Sequence, residues 1–313
     1  MTTWKSIRCS PAQLRLDVTL CCGQAFRWRR DEPSGEWRTA MKGVVWRLKQ
    51  EENDIRYRIE MGKDQAKKPL NAESFLRDYF QLDVDLVSLY ENWSSRDDTF
   101  KRVSSNYSGV RILRQDPVEN LFSFICSSNN NIKRIGSMIE KMSQTYGEFL
   151  MELDGYKYHD FPLVSKLADE RVESQLREMG FGYRAKYINQ SAKKILDEHE
   201  TADWLFSLRK LSHEEARREL LQLPGIGPKV ADCICLMSLD KTESIPVDTH
   251  VQQIAEKLYG LKGKGKSLTG KLYQDIGGHF RRLFSPYAGW ASSVLFVSDL
   301  RQLQIQRKRP REQ

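Results

Sequence analysis

Between Leu223 and Lys229 the chain reads Leu-Pro-Gly-Ile-Gly-Pro-Lys, and no other stretch constrains the fold as tightly. A helix is expected just before it. Ser212-His213-Glu214-Glu215 is a capping-box start, and Ala216, Leu220, Leu221 and Leu223 follow at core-facing spacing. Pro224-Gly225 must end that helix, while Pro228 suits the first position of another, whose Val230, Ala231, Ile234, Cys235 and Met237 are apolar. The chain is therefore driven into two helices joined by a very tight turn.

Gly225 and Gly227 in that turn allow a backbone path that other residues resist and permit close approach of a ligand. Free backbone N–H groups at the start of the second helix, with its positive dipole end, form a seat for a phosphate. The same residues also serve as a plain helix-to-helix turn. Lys229 sits where the macrodipole disfavours an ammonium ion, so a neutral, nucleophilic amine is comparatively favoured. Nineteen residues on, Asp248 in Ile245-Pro246-Val247-Asp248-Thr249-His250 offers a carboxylate at another helix N-terminus. As a simple N-cap it would start a helix through Val251, Ile254, Ala255 and Leu258, closed by Gly260. A lysine and a carboxylate facing one cleft suit attack at an anomeric carbon: the amine displaces a base and forms a Schiff base while the carboxylate stabilises charge on the sugar.

The rest of the chain divides by hydrophobic period. From Ala25 to about Met61 apolar residues alternate, as in Phe26 and Trp28, Val45, Trp46 and Leu48, then Ile55, Tyr57 and Ile59, with turn-prone segments at Asp31 to Gly35 and Glu51 to Asp54. An antiparallel meander is expected there. Past a polar stretch, Gly62 to Asn71, the period becomes helical almost to the end. Asp116-Pro117-Val118-Glu119 starts one helix, and the turn Ser127 to Asn131 ends it before a second that reaches toward Tyr146-Gly147. The expected fold is α+β: a strand-rich unit over 1–108, a mainly helical unit over 109–302 with the junction near Gly109, and a basic tail over 303–313. In that tail Arg307-Lys308-Arg309-Pro310-Arg311 is either a nuclear import signal or a solvated end.

Fifty Lys and Arg against 42 Asp and Glu, a formal charge of +8, favour a polyanionic partner without identifying it. The six cysteines and five histidines show no zinc-ligand spacing and no H-E-x-x-H, so metal catalysis has no visible ligands. With no apolar run near the ~18 residues of a membrane span, the chain reads as soluble and intracellular.

Several separated motifs then carry a resemblance over about Cys22 to Gln302: GQAFRW at Gly23 to Trp28, SSNNNIKRI at Ser127 to Ile135, GFGYRAKYI at Gly180 to Ile188, LPGIGPKVADCICLM at Leu223 to Met237, PVDTH at Pro246 to His250 and PYAGWASSVLF at Pro286 to Phe296. Together they resemble the eukaryotic 8-oxoguanine DNA glycosylase/AP lyases of the helix-hairpin-helix superfamily. The resemblance implies a helical glycosylase domain preceded by an antiparallel sheet domain. It also implies excision of 8-oxoguanine, and of ring-opened guanine, opposite cytosine in double-stranded DNA. Lys229 is then the Schiff-base nucleophile and Asp248 its electrostatic partner. Asn129, Arg134 and Arg184 would engage the orphaned cytosine, Tyr183 would wedge into the duplex and His250 would reach a phosphate. For the flipped base, the Gly23 carbonyl would accept the N7 hydrogen of the lesion, with Cys233 and Phe296 sandwiching the ring. Taken singly, Asn129 also reads as a helix cap, the two arginines as solvated or phosphate-bound, and Cys233 and Phe296 as core residues.

One position departs from the family pattern. Ser292 stands where members commonly carry glutamine, so one hydroxyl replaces a two-point amide contact to the pairing edge and widens the question of substrate range. The resemblance implies a monomer that needs no cofactor, with a structural monovalent or divalent cation at the hairpin as an additional expectation. No cysteine follows Cys235, so no iron–sulfur cluster is expected. A nuclear, or additionally mitochondrial, location is also expected. A non-catalytic DNA-binding module and a glycosylase for another lesion are the competing readings.

Overall fold

The computed structural model describes residues 3–62, 71–262 and 267–308, the last eight of these as backbone only. The tail beyond 308 and the side chains of its basic run therefore lie outside the described residues. Five strands, β1 (Lys5–Arg8), β2 (Arg29–Asp31), β3 (Glu36–Met41), β4 (Val44–Gln50) and β5 (Asp54–Glu60), form one antiparallel sheet in the order β1-β5-β4-β3-β2. The meander expected from alternation is present as β2 to β5. Alternation puts Trp46, Leu48, Ile55 and Tyr57 into a core beneath the sheet, where Leu76, Tyr79 and Phe80 of the following helical segment cover them.

Two strands escaped the sequence pattern for different reasons. β1 has a single buried residue, Ile7, and is held by pairing with β5. In β3 the residues Glu36 to Ala40 are all buried, so no alternation shows. Its second face is closed by a hairpin, β6 (Phe149–Leu153) and β7 (Tyr156–His159), in a segment expected to follow a helix with more helix. The turn Asp154-Gly155, with φ of 51° and 74°, is the signal that identifies it, because paired left-handed residues match the twist of a two-residue hairpin.

Helices make up most of the remainder, and their predicted starts are observed. Asp116 accepts a hydrogen bond from Val118 N at 2.9 Å with Pro117 behind it, and Ser212 and Glu215 close a reciprocal capping box. One large core gathers the helices Pro117–Ile125, Ile132–Tyr146, Arg184–His199, His213–Leu220 and Pro228–Ser238. A second unites Leu86, Trp93 and Phe100 with Phe280, Phe284, Trp290 and Val294, so the helices before Gly109 pack against the last two of the chain. Arg111 ties this region to the N-terminal segment. Its buried guanidinium donates to the carbonyls of Gln13, Gln81 and Val84, and burial lowers its pKa to about 10. Among the described residues no helix is long and apolar enough to cross a membrane.

Candidate active site and DNA-facing surface

The predicted helical hairpin is present: His213–Leu220 leads through Leu223–Gly227 into Pro228–Ser238. Its two glycines do different work. Gly225 has φ +82°, and a Cβ there would lie 2.6 Å from the Tyr187 side chain, so both conformation and space require glycine. Gly227, the N-cap of the second helix, has φ −97° and nothing within 4 Å of where a Cβ would stand. That open space at a helix N-terminus is what a phosphate seat needs.

A cleft of about 530 Å³, part of it open to solvent, lies beside the hairpin. Gly23, Lys229, Cys233, Asp248, Ser292 and Phe296 all line it, so six residues spread over 274 positions meet in one place. The arrangement follows from local structure. Lys229 and Cys233 are four residues apart and therefore on one face of the helix Pro228–Ser238. Asp248 caps the helix Thr249–Tyr259, its Oδ1 accepting from the amides of His250 and Val251, each at 2.9 Å. Gly23 is fixed by its neighbour: the buried Gln24 amide donates to the carbonyls of Thr19 and Arg111 at 3.1 and 2.7 Å and accepts from Leu113 N at 2.9 Å. With φ +88°, Gly23 adopts a path that a side chain would strain.

Electrostatics at Lys229 correct one expectation. Burial is the largest single influence and favours the neutral amine, but Cys233 and Asp248 beside it favour the ammonium more strongly in sum. The lysine pKa is therefore raised, not lowered, and the helix start does not leave a neutral nucleophile. The ammonium also lies 5.2 Å from the centre of the Phe124 ring, a lining residue that the sequence pattern does not single out. Burial pushes the Cys233 thiol up to about 11 and that of Cys22, also in the wall, to about 12. Both are thiols at neutral pH.

Ser292 is buried at the cleft, and its hydroxyl makes no hydrogen bond among the described residues. His250 is half-buried, its Nδ1 3.1 Å from Asp299 Oδ2 and its ring edge-on to Phe296 at 5.8 Å.

The remaining predicted residues form a second cluster. Asn129 is exposed with φ +48° at the tip of the loop before the helix Ile132–Tyr146. It does not cap that helix; Asn131 does, accepting from Arg134 N at 3.0 Å. Arg184, only 3% exposed, is not a solvated arginine but a tether. It donates to the carbonyls of Ser128, Asn129 and Phe181 and lies 4.6 Å from the Tyr183 ring centre. Tyr183, 46% exposed, also donates to the Ser128 carbonyl, and Arg134 donates to that of Gly180 at 3.3 Å. Tyr183 meets Tyr187 edge-on at 5.9 Å, and Tyr187 is the residue seated on Gly225. A packed aromatic chain thus joins this cluster to the hairpin, a connection that spacing alone does not reveal.

The comparisons with known proteins decide the family. Residues 6–121 match the family model described as 8-oxoguanine DNA glycosylase, N-terminal domain, and residues 122–277 match HhH-GPD superfamily base excision DNA repair protein. The N-glycosylase/DNA lyase OGG1 of Arabidopsis thaliana is 38% identical over 95% of this chain and 80% of its own length. The chain belongs to the 8-oxoguanine DNA glycosylase family. The N-glycosylase/DNA lyase of Saccharomyces cerevisiae is 36% identical to this glycosylase, over 92% of this chain and 84% of its own. Among solved structures, 8-oxoguanine glycosylase/lyase of Clostridium acetobutylicum, in complex with double-stranded DNA containing cytosine opposite 8-oxoG, superposes with a TM-score of 0.80. It is 30% identical, and the match covers 97% of this chain and 98% of that one.

Proposed function

We propose that this protein excises 8-oxoguanine, and ring-opened guanine, opposite cytosine in double-stranded DNA and then nicks the strand by β-elimination. The observation that carries the proposal is the meeting of Lys229, Asp248, Gly23, Cys233 and Phe296 in a single cleft beside a helical hairpin with an open N-terminus. The Lys229 amine, once deprotonated, bonds to C1′ of the sugar as the glycosidic bond breaks and the base leaves with a proton. Asp248 stabilises the positive charge that develops on the sugar. Ring opening gives the imine, and loss of the C2′ proton expels the 3′ phosphate. Gly23 presents its carbonyl to the N7 hydrogen that the lesion carries and guanine lacks, while a lone pair of guanine would face that carbonyl unpaired. Asn129, Arg134, Tyr183 and Arg184 occupy the gap and read cytosine, and Gly225, Gly227 and His250 hold phosphates.

The test is excision from an 8-oxoguanine:cytosine duplex, an undamaged duplex and a ring-opened-guanine duplex. Damage-dependent excision that Lys229→Gln abolishes supports the proposal, whereas binding without excision on every duplex supports a non-catalytic module. Ser292 favours a broader second reading, because its lone hydroxyl gives the pairing edge one side-chain contact; comparison of further oxidised purines tests it.

A cation at the hairpin would be held by backbone oxygens, since among the described residues no cluster of three or more His, Cys, Asp or Glu could bind one. Of these oxygens, Pro224 O already accepts from Ser191 Oγ at 2.8 Å and Leu223 O from Ile226 N at 3.2 Å. No chemical step depends on it, and titrating duplex affinity with potassium or magnesium tests it. The basic run Arg307 to Arg311 directs the protein to the nucleus, which imaging of a tail-deleted fusion tests.

A further inference from the structure

Asp232 precedes Cys233 directly and stands three residues from Lys229, yet it does not line the cleft. Its side chain is buried, 3% exposed, on the helix that carries Lys229 and Cys233. One oxygen meets His213 Nε2, Arg217 Nε and Ser244 Oγ, each at 3.1 Å, and the other accepts from the Tyr273 hydroxyl at 2.5 Å. The single Ser244 hydroxyl hydrogen is shared between the first of these oxygens and the Asp232 carbonyl, 3.0 Å away, and Tyr273 Oη accepts from Val247 N at 3.4 Å. Burial, then the Asp232 charge, push the Tyr273 phenol far above its usual range, so it stays a donor.

Lys229 and Asp248 stand on different elements, and the second of these is a loop. The loop runs from Leu239 to Asp248; Ser244 lies in its second half, Pro246 stiffens it and Val247 precedes Asp248 directly. The contacts of Asp232, directly at Ser244 and through Tyr273 at Val247, therefore bind the second half of the loop to the lysine helix. A surface carboxylate with one partner would carry no such implication. Here four side chains from three other segments converge on one buried group, beyond what neutralising it requires. We propose that Asp232, acting through Ser244 and Tyr273, is a positioning residue that sets the distance between Lys229 and Asp248. The proposal rests on the roles given to those two residues above.

Tyr273→Phe, Asp232→Asn and Asp232→Ala test it, with Lys229→Gln in parallel. The readouts are the single-turnover excision rate at saturating enzyme, affinity for a duplex containing a tetrahydrofuran abasic analogue, and the pH profile of the rate. Tyr273→Phe should slow excision about tenfold while affinity stays within about twofold, because misplacement by a fraction of an ångström costs rate before binding. Its profile should also move to lower pH. The groups facing Lys229 are Cys233 on its own helix, Asp248 on the loop and the Phe124 ring, and withdrawal of Asp248 leaves the ammonium easier to deprotonate. Asp232→Asn keeps most of the contacts and should restore the rate to within about threefold, where Asp232→Ala does not. A wild-type rate and profile in Tyr273→Phe and Asp232→Ala would overturn the proposal. So would rate and affinity falling together with an unmoved profile, the pattern of a merely structural defect. Full excision by Lys229→Gln would instead sink the underlying reading of the site.

Discussion

Asp248 Oδ1 holds the backbone amide of Val251 at 2.9 Å, so the carboxylate assigned to the sugar is also the cap of its own helix. The two roles separate by substitution. Asparagine caps as well as aspartate but carries no charge, while alanine does neither. Asp248→Asn should therefore keep the melting temperature and lose excision, and Asp248→Ala should lose excision and about 1 kcal/mol of stability. Equal stability in the two variants would show that the cap contributes nothing.

Because the Lys229 pKa is raised, the lysine is protonated in the resting site at neutral pH. The excision rate should rise with pH through the alkaline range until the lysine titrates. The linkage has a definite sign. Stability drawn from the folded-state partners of the ammonium is complete below the ordinary lysine pKa near 10.4 and is lost as pH rises through the higher folded value. Single-turnover rates across pH measure the first effect, and a profile flat through the alkaline range would contradict it.

Cysteine reactivity follows the same logic. Cys21 is exposed, whereas burial holds Cys22 and Cys233 at about 12 and about 11. Iodoacetamide near neutral pH should label Cys21 first and leave Cys233 unmodified, as mass spectrometry of tryptic peptides would show. Stability that depends on the neutral Cys233 thiol is complete below about 8.5 and is lost as pH rises through about 11.

Arg184 joins the loop carrying Asn129 to the segment carrying Tyr183, and lysine cannot bridge the same carbonyls with one ammonium. Arg184→Lys should reduce the preference for cytosine over adenine opposite the lesion about tenfold, with a smaller loss on the cytosine duplex itself. Unchanged opposite-base preference would remove this cluster from cytosine reading.

What could be read from the sequence was what depends on local chemistry. Pro117, Pro228, the Ser212 box and Asp248 announce helix starts because capping and proline geometry are decided within a few residues. The sheet was legible where one face is buried and hidden in β3, where both are. At the site, Lys229 and Asp248 could be proposed from helix ends. Their electrostatics could not, since the raised lysine pKa depends on Cys233 and Asp248 arriving from one turn and one loop away. Tyr187, Phe124, Asp232 and Tyr273 were invisible as site residues for a related reason: each acts through tertiary packing against residues that already looked functional.

The most direct test of the central claim is borohydride trapping on the 8-oxoguanine:cytosine duplex, followed by sequencing of the cross-linked peptide. A damage-dependent covalent adduct should form on Lys229 and be absent in Lys229→Gln. Trapping at another residue, or full excision without any adduct, would contradict it.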